Sequence, residues 1–287
     1  MHFSKSDRPH VAPHRAFGRS AKLELWMSRL PQSNPAEEIR NYYSALSRAW
    51  GAQHWWPAET QFEVIVGAYL TQNTAWTNVE RALANLRRAN LLSVEGIRAV
   101  RLPRLQRLIR PSGYFRQKAK RLKMFVAFLD DRYEGSLPEM FSQPTEKLRE
   151  ELLGLNGIGP ETADSILLYA GNHPVFVVDA YTRRILDRHG IAPAKTDYEQ
   201  IRQLFQISLE PIATEQERWP AEVREPLEAG IRGAAHPPSA MSTAHRTALV
   251  QVYNEMHGLI VGVGKNYCRK SKPSCEDCPL QRFLPAK

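Results

Sequence analysis

Residues 153–179, LGLNGIGPETADSILLYAGNHPVFVVD, constrain the chain most, because they read as a glycine-turned helical hairpin followed about one helix later by a single carboxylate. Leu148, Leu152, Leu153 and Leu155 fit one helical face, and Ile166, Leu167 and Ala170 fit another, so GLNGIG is predicted to be the turn between two helices. Gly157 and Gly159 can take positive φ and let another backbone approach closely. The turn opens a second helix whose free N–H groups and positive dipole end suit a phosphate. Such a hairpin grips nucleic-acid backbone without reading its sequence. An ordinary packed corner of two helices would carry the same glycines, so other features must decide.

The charge distribution favours a polyanionic partner. The chain has 39 Lys and Arg against 30 Asp and Glu, a net charge of +9 and a pI near 9.6. From Arg81 to Lys123 there are thirteen basic residues and one acid, Glu95. A face so lopsided repels itself unless it meets phosphate, and Arg116, Lys118, Lys120 and Arg121 mark its densest part.

At 287 residues the chain is long enough for two lobes with proper cores. No run approaches the roughly 20 apolar residues of a membrane span. Residues 1–35 lack the apolar core of a secretion signal, hold six basic and two acidic residues, and are expected to be a basic, largely disordered arm. Three cysteines, all late in the chain, make no disulfide framework, so a reducing, cytoplasmic setting is expected.

Apolar spacing is helical almost throughout. Phe62, Ile65, Val66, Tyr69 and Leu70 follow it, as do Leu249, Val252, Tyr253, Met256 and Ile260. Val175–Val178 is the sole β-looking run and is too short for a sheet. From about Glu210 to His245, five prolines and clustered Glu predict a long excursion with little regular structure, within which a helix at Pro220–Gly230 could form.

The hairpin LNGIGPETA, the downstream VVDAYTRRI and the late cysteine pattern resemble, in order and spacing, the helix-hairpin-helix DNA glycosylases typified by endonuclease III. HWWPAE, LTQNTAW and RPSGYFRQKAKRL resemble the branch that contains 3-methyladenine DNA glycosylase III. The resemblance runs from about Trp55 to Cys278. It implies an all-α fold of two helical lobes with the active-site cleft between them. Residues 59–172 would form a helical barrel lobe carrying the hairpin. Residues 36–58 with 173–287 would form the second lobe, ending in the cysteine loop. A monomer acting on damaged double-stranded DNA is expected.

Asp179 follows an apolar run and precedes a helix, so by position it is an N-cap accepting the N–H of Tyr181 or Thr182. It also matches the family's catalytic aspartate. There it would stabilise the positive charge growing on the deoxyribose as the base leaves, and help direct water to C1′. Family members that also nick the strand carry a lysine two residues after the second hairpin glycine, where this chain has Glu161. A carboxylate cannot form an imine, so the resemblance implies a monofunctional, hydrolytic glycosylase. Lys265 and Lys118 are the other amines that could in principle substitute, and neither stands at the hairpin position.

A glycosylase must extrude its target base and hold it by stacking. A purine alkylated at N3 or N7 is cationic, and an indole face attracts a cation by about 0.5–2 kcal/mol. By resemblance Trp56, Trp76 and Lys265 line the base pocket, while Trp55 is assigned to packing. Gln72, in LTQNT, corresponds to a side chain that enters the duplex where the base has left; on its own it reads as a helix-terminal hydrogen bond. The expected substrate is an alkylated purine of the 3-methyladenine type. Oxidised pyrimidines, mismatched bases, or simple non-catalytic DNA binding are the alternatives.

Cys268, Cys275 and Cys278 keep the six-residue and two-residue gaps of the family's iron–sulfur loop, but Leu284 stands where the fourth cysteine belongs. A [4Fe–4S] cluster takes four thiolates. Either a non-cysteine group or water completes the cluster, or the cluster is lost and a basic DNA-contact loop remains. A zinc site of these cysteines with His257 has no support from spacing.

Overall fold

Helix boundaries in this computed structural model, which describes residues 25, 26, 28, 34–218 and 236–285, follow local signals in the residues. Asn34 caps α1 (Pro35–Trp50): its side chain accepts the Glu37 N–H at 3.1 Å, while Glu37 and Glu38 face the positive dipole end. Gly51, at φ 65°, ends it. Thr60 caps α2 (Gln61–Thr71) in the same way. Next come α3 (Trp76–Arg88), α4 (Val94–Ala99), α5 (Leu102–Leu108), a 3-10 turn at Arg110–Ser112 and α6 (Phe115–Tyr133). After α7 (Leu137–Phe141), the hairpin consists of α8 (Thr145–Leu153), its turn, and α9 (Pro160–Ser165), which runs into a π-helical turn at Ile166–Ala170. Then follow α10 (Ala180–Arg188), α11 (Tyr198–Arg218), α12 (Ala248–Asn266) and a 3-10 turn at Gln281–Phe283.

The fold is all-α, and no strand occurs among the described residues; Val175–Val178 is buried coil. One expectation fails at the start of the 210–245 segment. α11 continues through Pro211 to Arg218, because Ile201, Leu204, Phe205, Leu209 and Ala213 keep a helical stripe buried, and that burial outweighs the hydrogen bond the proline removes. The proposed helix at Pro220–Gly230 and nearly all of the basic arm lie outside the described residues.

Two helices are buried on nearly all sides. Every residue of α2 from Phe62 to Leu70 is inaccessible, as is most of α12 from Val250 to Gly264. Each such Leu, Ile, Val or Phe contributes about 1.5–3 kcal/mol relative to exposure, against about 0–1 for a surface ion pair. These two helices therefore organise the packing. α3, α6 and the π-helical turn pack on α2, with α4 and α5 outside α6; α1, α10 and α11 pack on α12. The two groups meet where α12 touches the π-helical turn. At Gly264 a Cβ would fall 2.1 Å from Tyr181 Cδ1, so α10 approaches α12 as closely as glycine allows. No helix among the described residues is long and apolar enough to cross a membrane.

Candidate active site

The buried coil Val175–Val178 delivers Asp179 to the N-terminus of α10, where the expected cap forms with Thr182 rather than Tyr181. Asp179 Oδ1 accepts the Thr182 N–H at 2.7 Å and its hydroxyl at 2.9 Å. Both donors take the same oxygen. Oδ2 is left to face His257 Nε2 at 3.7 Å, and His257 Nδ1 is hydrogen-bonded to Tyr169 Oη. One carboxylate oxygen thus holds the helix while the other is available for chemistry.

Glu161 begins α9 beside this carboxylate. Its side chain is exposed, yet enough protein surrounds the carboxyl that desolvation, helped by the Asp179 charge and opposed by Arg183, pushes it up to about 7. Two neighbouring carboxyls of which one is poised near neutrality are a common arrangement where acid and base roles divide. Lys265, from the end of α12, brings a further cation close to Asp179. Its Nζ lies 5.6 Å from the Trp55 ring centroid, and burial lowers its pKa against the pull of Glu80 and Asp179. Lys118 is buried, with its amine bonded to Leu70 O, Thr74 Oγ1 and Ser112 O.

The aromatic residues cluster as the sequence suggests, in a different arrangement. Trp56 meets Trp76 edge-to-face at 5.1 Å and 87°, so the two rings do not form parallel walls of a sandwich. Trp56 also lies 5.3 Å from Tyr169, and Trp55 packs against Trp56, His236 and His257. Trp55 and Trp56 are buried, whereas Trp76 is half-exposed and its Nε1 donates to Glu80 at 2.9 Å. Tyr169, Glu80 and His236 have no part in the sequence-based expectations, and His257 enters them only as a zinc candidate. Tyr169 and His257 sit in apolar helical runs that read as core, and His236 is distant in sequence; only the Trp76/Glu80 helical spacing offered a signal.

The hairpin turn uses one glycine's freedom. Gly157 has φ 84°, but Gly159 lies at φ −100°, an extended conformation open to any residue, so only Gly157 uses the freedom both glycines have. Gln72 caps the end of α2 and ties that turn down: its Nε2 donates to Gly157 O at 2.9 Å and Thr162 Oγ1 at 3.0 Å, and its Oε1 accepts from Arg121 Nη1 at 2.9 Å. In this conformation the Gln72 side chain is thus a tie between the end of α2, the hairpin and α6.

The basic window divides by burial. Arg116 and Lys120 are exposed and Arg121 is half-buried. Lys118 is 1% exposed, and its Nζ donates to Leu70 O, Thr74 Oγ1 and Ser112 O at 2.7–2.9 Å. A phosphate cannot reach it, so its assignment to DNA contact is corrected: it pins the Gln72 loop to the RPSGY loop. Arg87 and Arg98 are already paired with Glu63 and Asp130. Tyr114, 67% exposed, projects from the same loop between Arg110 and Arg116.

A helical hairpin, a capped aspartate beyond it and a tryptophan cluster between two helical groups are thus brought together, and comparison with known proteins agrees. Residues 66–211, about half the chain, match the model of the HhH-GPD superfamily base excision DNA repair protein. The chain belongs to this superfamily. It is 40% identical over 89% of its length, and all of the relative's, to a Methanocaldococcus jannaschii protein named by inference as a DNA repair glycosylase. Endonuclease III of Thermotoga maritima is 26% identical over 77% of this chain and 80% of that one. Among solved structures, the H. pylori 3-methyladenine DNA glycosylase bound to 1,N6-ethenoadenine has TM-score 0.63 and 28% identity, covering 80% of this chain and 97% of that one. Endonuclease III in a non-covalent DNA complex has TM-score 0.62 at 20% identity, covering 87% and 94%, which supports the shared fold.

This HhH-GPD chain brings Cys268, Cys275 and Cys278 to one small, partly open cavity, together with Leu284 and His189. Arg188 Nη1 lies 3.2 Å from Cys268 Sγ, and burial, with the neighbouring cysteines, pushes the Cys278 thiol up to about 11. Leu284 offers no donor, and His189 Nδ1 is engaged by Tyr42 Oη at 2.7 Å. His257, the candidate zinc ligand, sits instead beside Asp179. Among the described residues no three His, Cys, Asp or Glu side chains are gathered closely enough to hold a metal. The donor set therefore does not fit a four-thiolate cluster.

Proposed function

We propose that the chain is a monofunctional DNA glycosylase that hydrolyses the N-glycosidic bond of a flipped, alkylated purine of the 3-methyladenine type in double-stranded DNA. The observation that carries this reading is the pairing of Asp179, with one oxygen uncapped, and Glu161 at the hairpin position where a strand-nicking enzyme would need an amine. The 28% identity to a 3-methyladenine glycosylase supports the substrate class.

An alkylated purine is cationic, so when the C1′–N bond breaks it leaves as a neutral base with the bonding electrons. Little acid catalysis is then needed. Positive charge passes to the deoxyribose, where the Asp179 carboxylate stabilises it. Water adds to C1′, and its proton is released to solvent. The base would stack on Trp76 and the exposed edge of the cluster, with Lys265 at the rim. Arg116, Lys120 and Arg121 would hold phosphates beside the hairpin, with Lys118 bracing them from within. Gln72 would occupy the vacated position in the duplex after exchanging its hairpin bonds for the orphaned base. The enzyme acts as a monomer in a reducing, cytoplasmic compartment, and no step runs through the cysteine loop.

The test is base release measured separately from strand cleavage on duplexes with single defined lesions. Release of alkylpurines without scission is expected. Equal release of oxidised pyrimidines would replace the substrate assignment.

A further inference from the structure

The capped aspartate leaves a mechanical question that two buried residues answer. With both donors of the cap on Oδ1, nothing in α10 fixes the direction in which Oδ2 presents its lone pairs. The side chain facing Oδ2 is His257, from the middle of α12, with Nε2 at 3.7 Å. That nitrogen is buried and has no hydrogen-bond partner. Leaving a buried N–H unpaired is unfavourable, and an ordinary core histidine would be placed to avoid it. Its other nitrogen, Nδ1, is bonded to Tyr169 Oη, and Tyr169 is fully buried in the π-helical turn. A carboxylate only accepts, so the tautomer that serves both neighbours has Nδ1 accepting from Tyr169 and Nε2 carrying the proton toward Asp179.

We propose that Tyr169 and His257 form a positioning pair for Asp179, in which His257 Nε2 donates to Oδ2 once DNA closes the site and Tyr169 fixes the tautomer that makes this donation possible. The inference rests on the glycosylase reading of Asp179. A separation of 3.7 Å is too long for a hydrogen bond, but such contacts are commonly loose before substrate binds and tighten in the reactive complex. Burial lowers the imidazole's pKa while the Asp179 charge opposes it, so the ring acts as a neutral donor. The other charged groups around the pair are Glu161 and Lys265 beside Asp179, Arg183 acting on Glu161, and Arg246 acting on Tyr169. None of them bonds Oδ2.

A packing role is the competing explanation, since the rings of Trp55 and Phe176 lie 6.2 and 6.3 Å from the imidazole. Single-turnover base release from methylated duplex DNA, DNA affinity and thermal stability, measured on the same variants, separate the two. His257→Leu keeps volume but loses the N–H. It should slow base release about 10- to 100-fold, the usual scale for losing a partner that orients a functional group, with affinity for the duplex unchanged. His257→Gln places an N–H at similar reach and should recover most of the rate. Tyr169→Phe should fall between them. A wild-type rate in His257→Leu, or a Gln variant as slow as the Leu variant, overturns the proposal in favour of packing. Should His257→Leu fail to fold, Tyr169→Phe and His257→Gln carry the same decision: a wild-type rate in the first, or a loss in the second as great as in Asp179→Asn, overturns it. Asp179→Asn run alongside distinguishes the failures. If that variant keeps full activity the glycosylase reading itself is wrong; if it is inactive while the His257 and Tyr169 variants are normal, only the positioning pair is wrong.

Discussion

Arg121 lies across Gly157: a Cβ on the glycine would fall 2.0 Å from Arg121 Nε, and Arg121 Nη1 meanwhile donates to Gln72 at 2.9 Å. The hairpin glycine, the basic helix and the end of α2 are therefore one unit. A left-handed conformation costs an L-residue about 1–2 kcal/mol, and at this position the guanidinium must move as well. Gly157→Ala should lower thermal stability by about that amount and weaken DNA binding. Gly159→Ala has φ −100° and nothing within 4 Å of its Cβ, so it should keep wild-type stability. Equal losses in the two variants would contradict this division.

The basic face should split in the same way. Replacing Arg116 or Lys120 by alanine should reduce the salt dependence of duplex binding by about one counterion each, with the melting temperature unchanged. Lys118→Met should leave the salt slope alone and lower stability, because it strands the carbonyl of Leu70, worth about 1–3 kcal/mol when left unpaired, while Ser112 O keeps the Thr74 hydroxyl. A changed salt slope in Lys118→Met would place phosphate where the structure has a buried pin.

Glu161 sets a pH dependence of definite sign. Its carboxyl is raised from 4.5 to about 7, chiefly by desolvation. A raised carboxyl contributes stability that is fully present below about 4.5 and is lost as pH rises through about 7, so wild type should lose more stability than Glu161→Gln between pH 5 and 8. Ionisation also adds negative charge beside the developing deoxyribose cation. Base release should therefore rise through pH 7 in wild type, and that inflection should vanish in Glu161→Gln. Its persistence in the glutamine variant would assign it to another group.

The two pocket tryptophans differ in what they report. Trp56 is 5% exposed, and truncating a buried tryptophan costs about 3–5 kcal/mol, so Trp56→Leu should chiefly lower stability. Trp76 is half-exposed and edge-on to Trp56, which leaves a face for a ligand. Trp76→Leu should erode the preference for an N-alkylated purinium over the neutral purine with a small change in melting temperature. Undiminished preference, measured by competitive binding, would remove Trp76 from the base site.

What the sequence reveals here depends on how local the governing physics is. The hairpin, the cap at Asp179 and the helical character of α2 and α12 follow from turn residues, spacing and periodicity within a few residues, and all are legible. Which glycine of the turn leaves no room for a side chain depends on Arg121, 36 positions away in the chain, and is not legible. Lys118 looks like its basic neighbours until its three acceptors come together from α2 and two loops. His257 and Tyr169 stand in apolar runs, so their polarity is masked by the core pattern around them. α11 continues past Pro211 because burial against α1 and α12 overrides a local breaker.

Hydrolysis by Asp179 without an imine is tested most directly by one assay. Wild type and Asp179→Asn are incubated with duplexes carrying one N-alkylated purine, and base release, strand scission and borohydride trapping are followed in the same samples. Wild type should release the base, leave the strand intact and give no trapped adduct, while Asp179→Asn should bind the duplex and release nothing. Full turnover by Asp179→Asn, or a covalent adduct trapped in good yield with wild type, would contradict the mechanism.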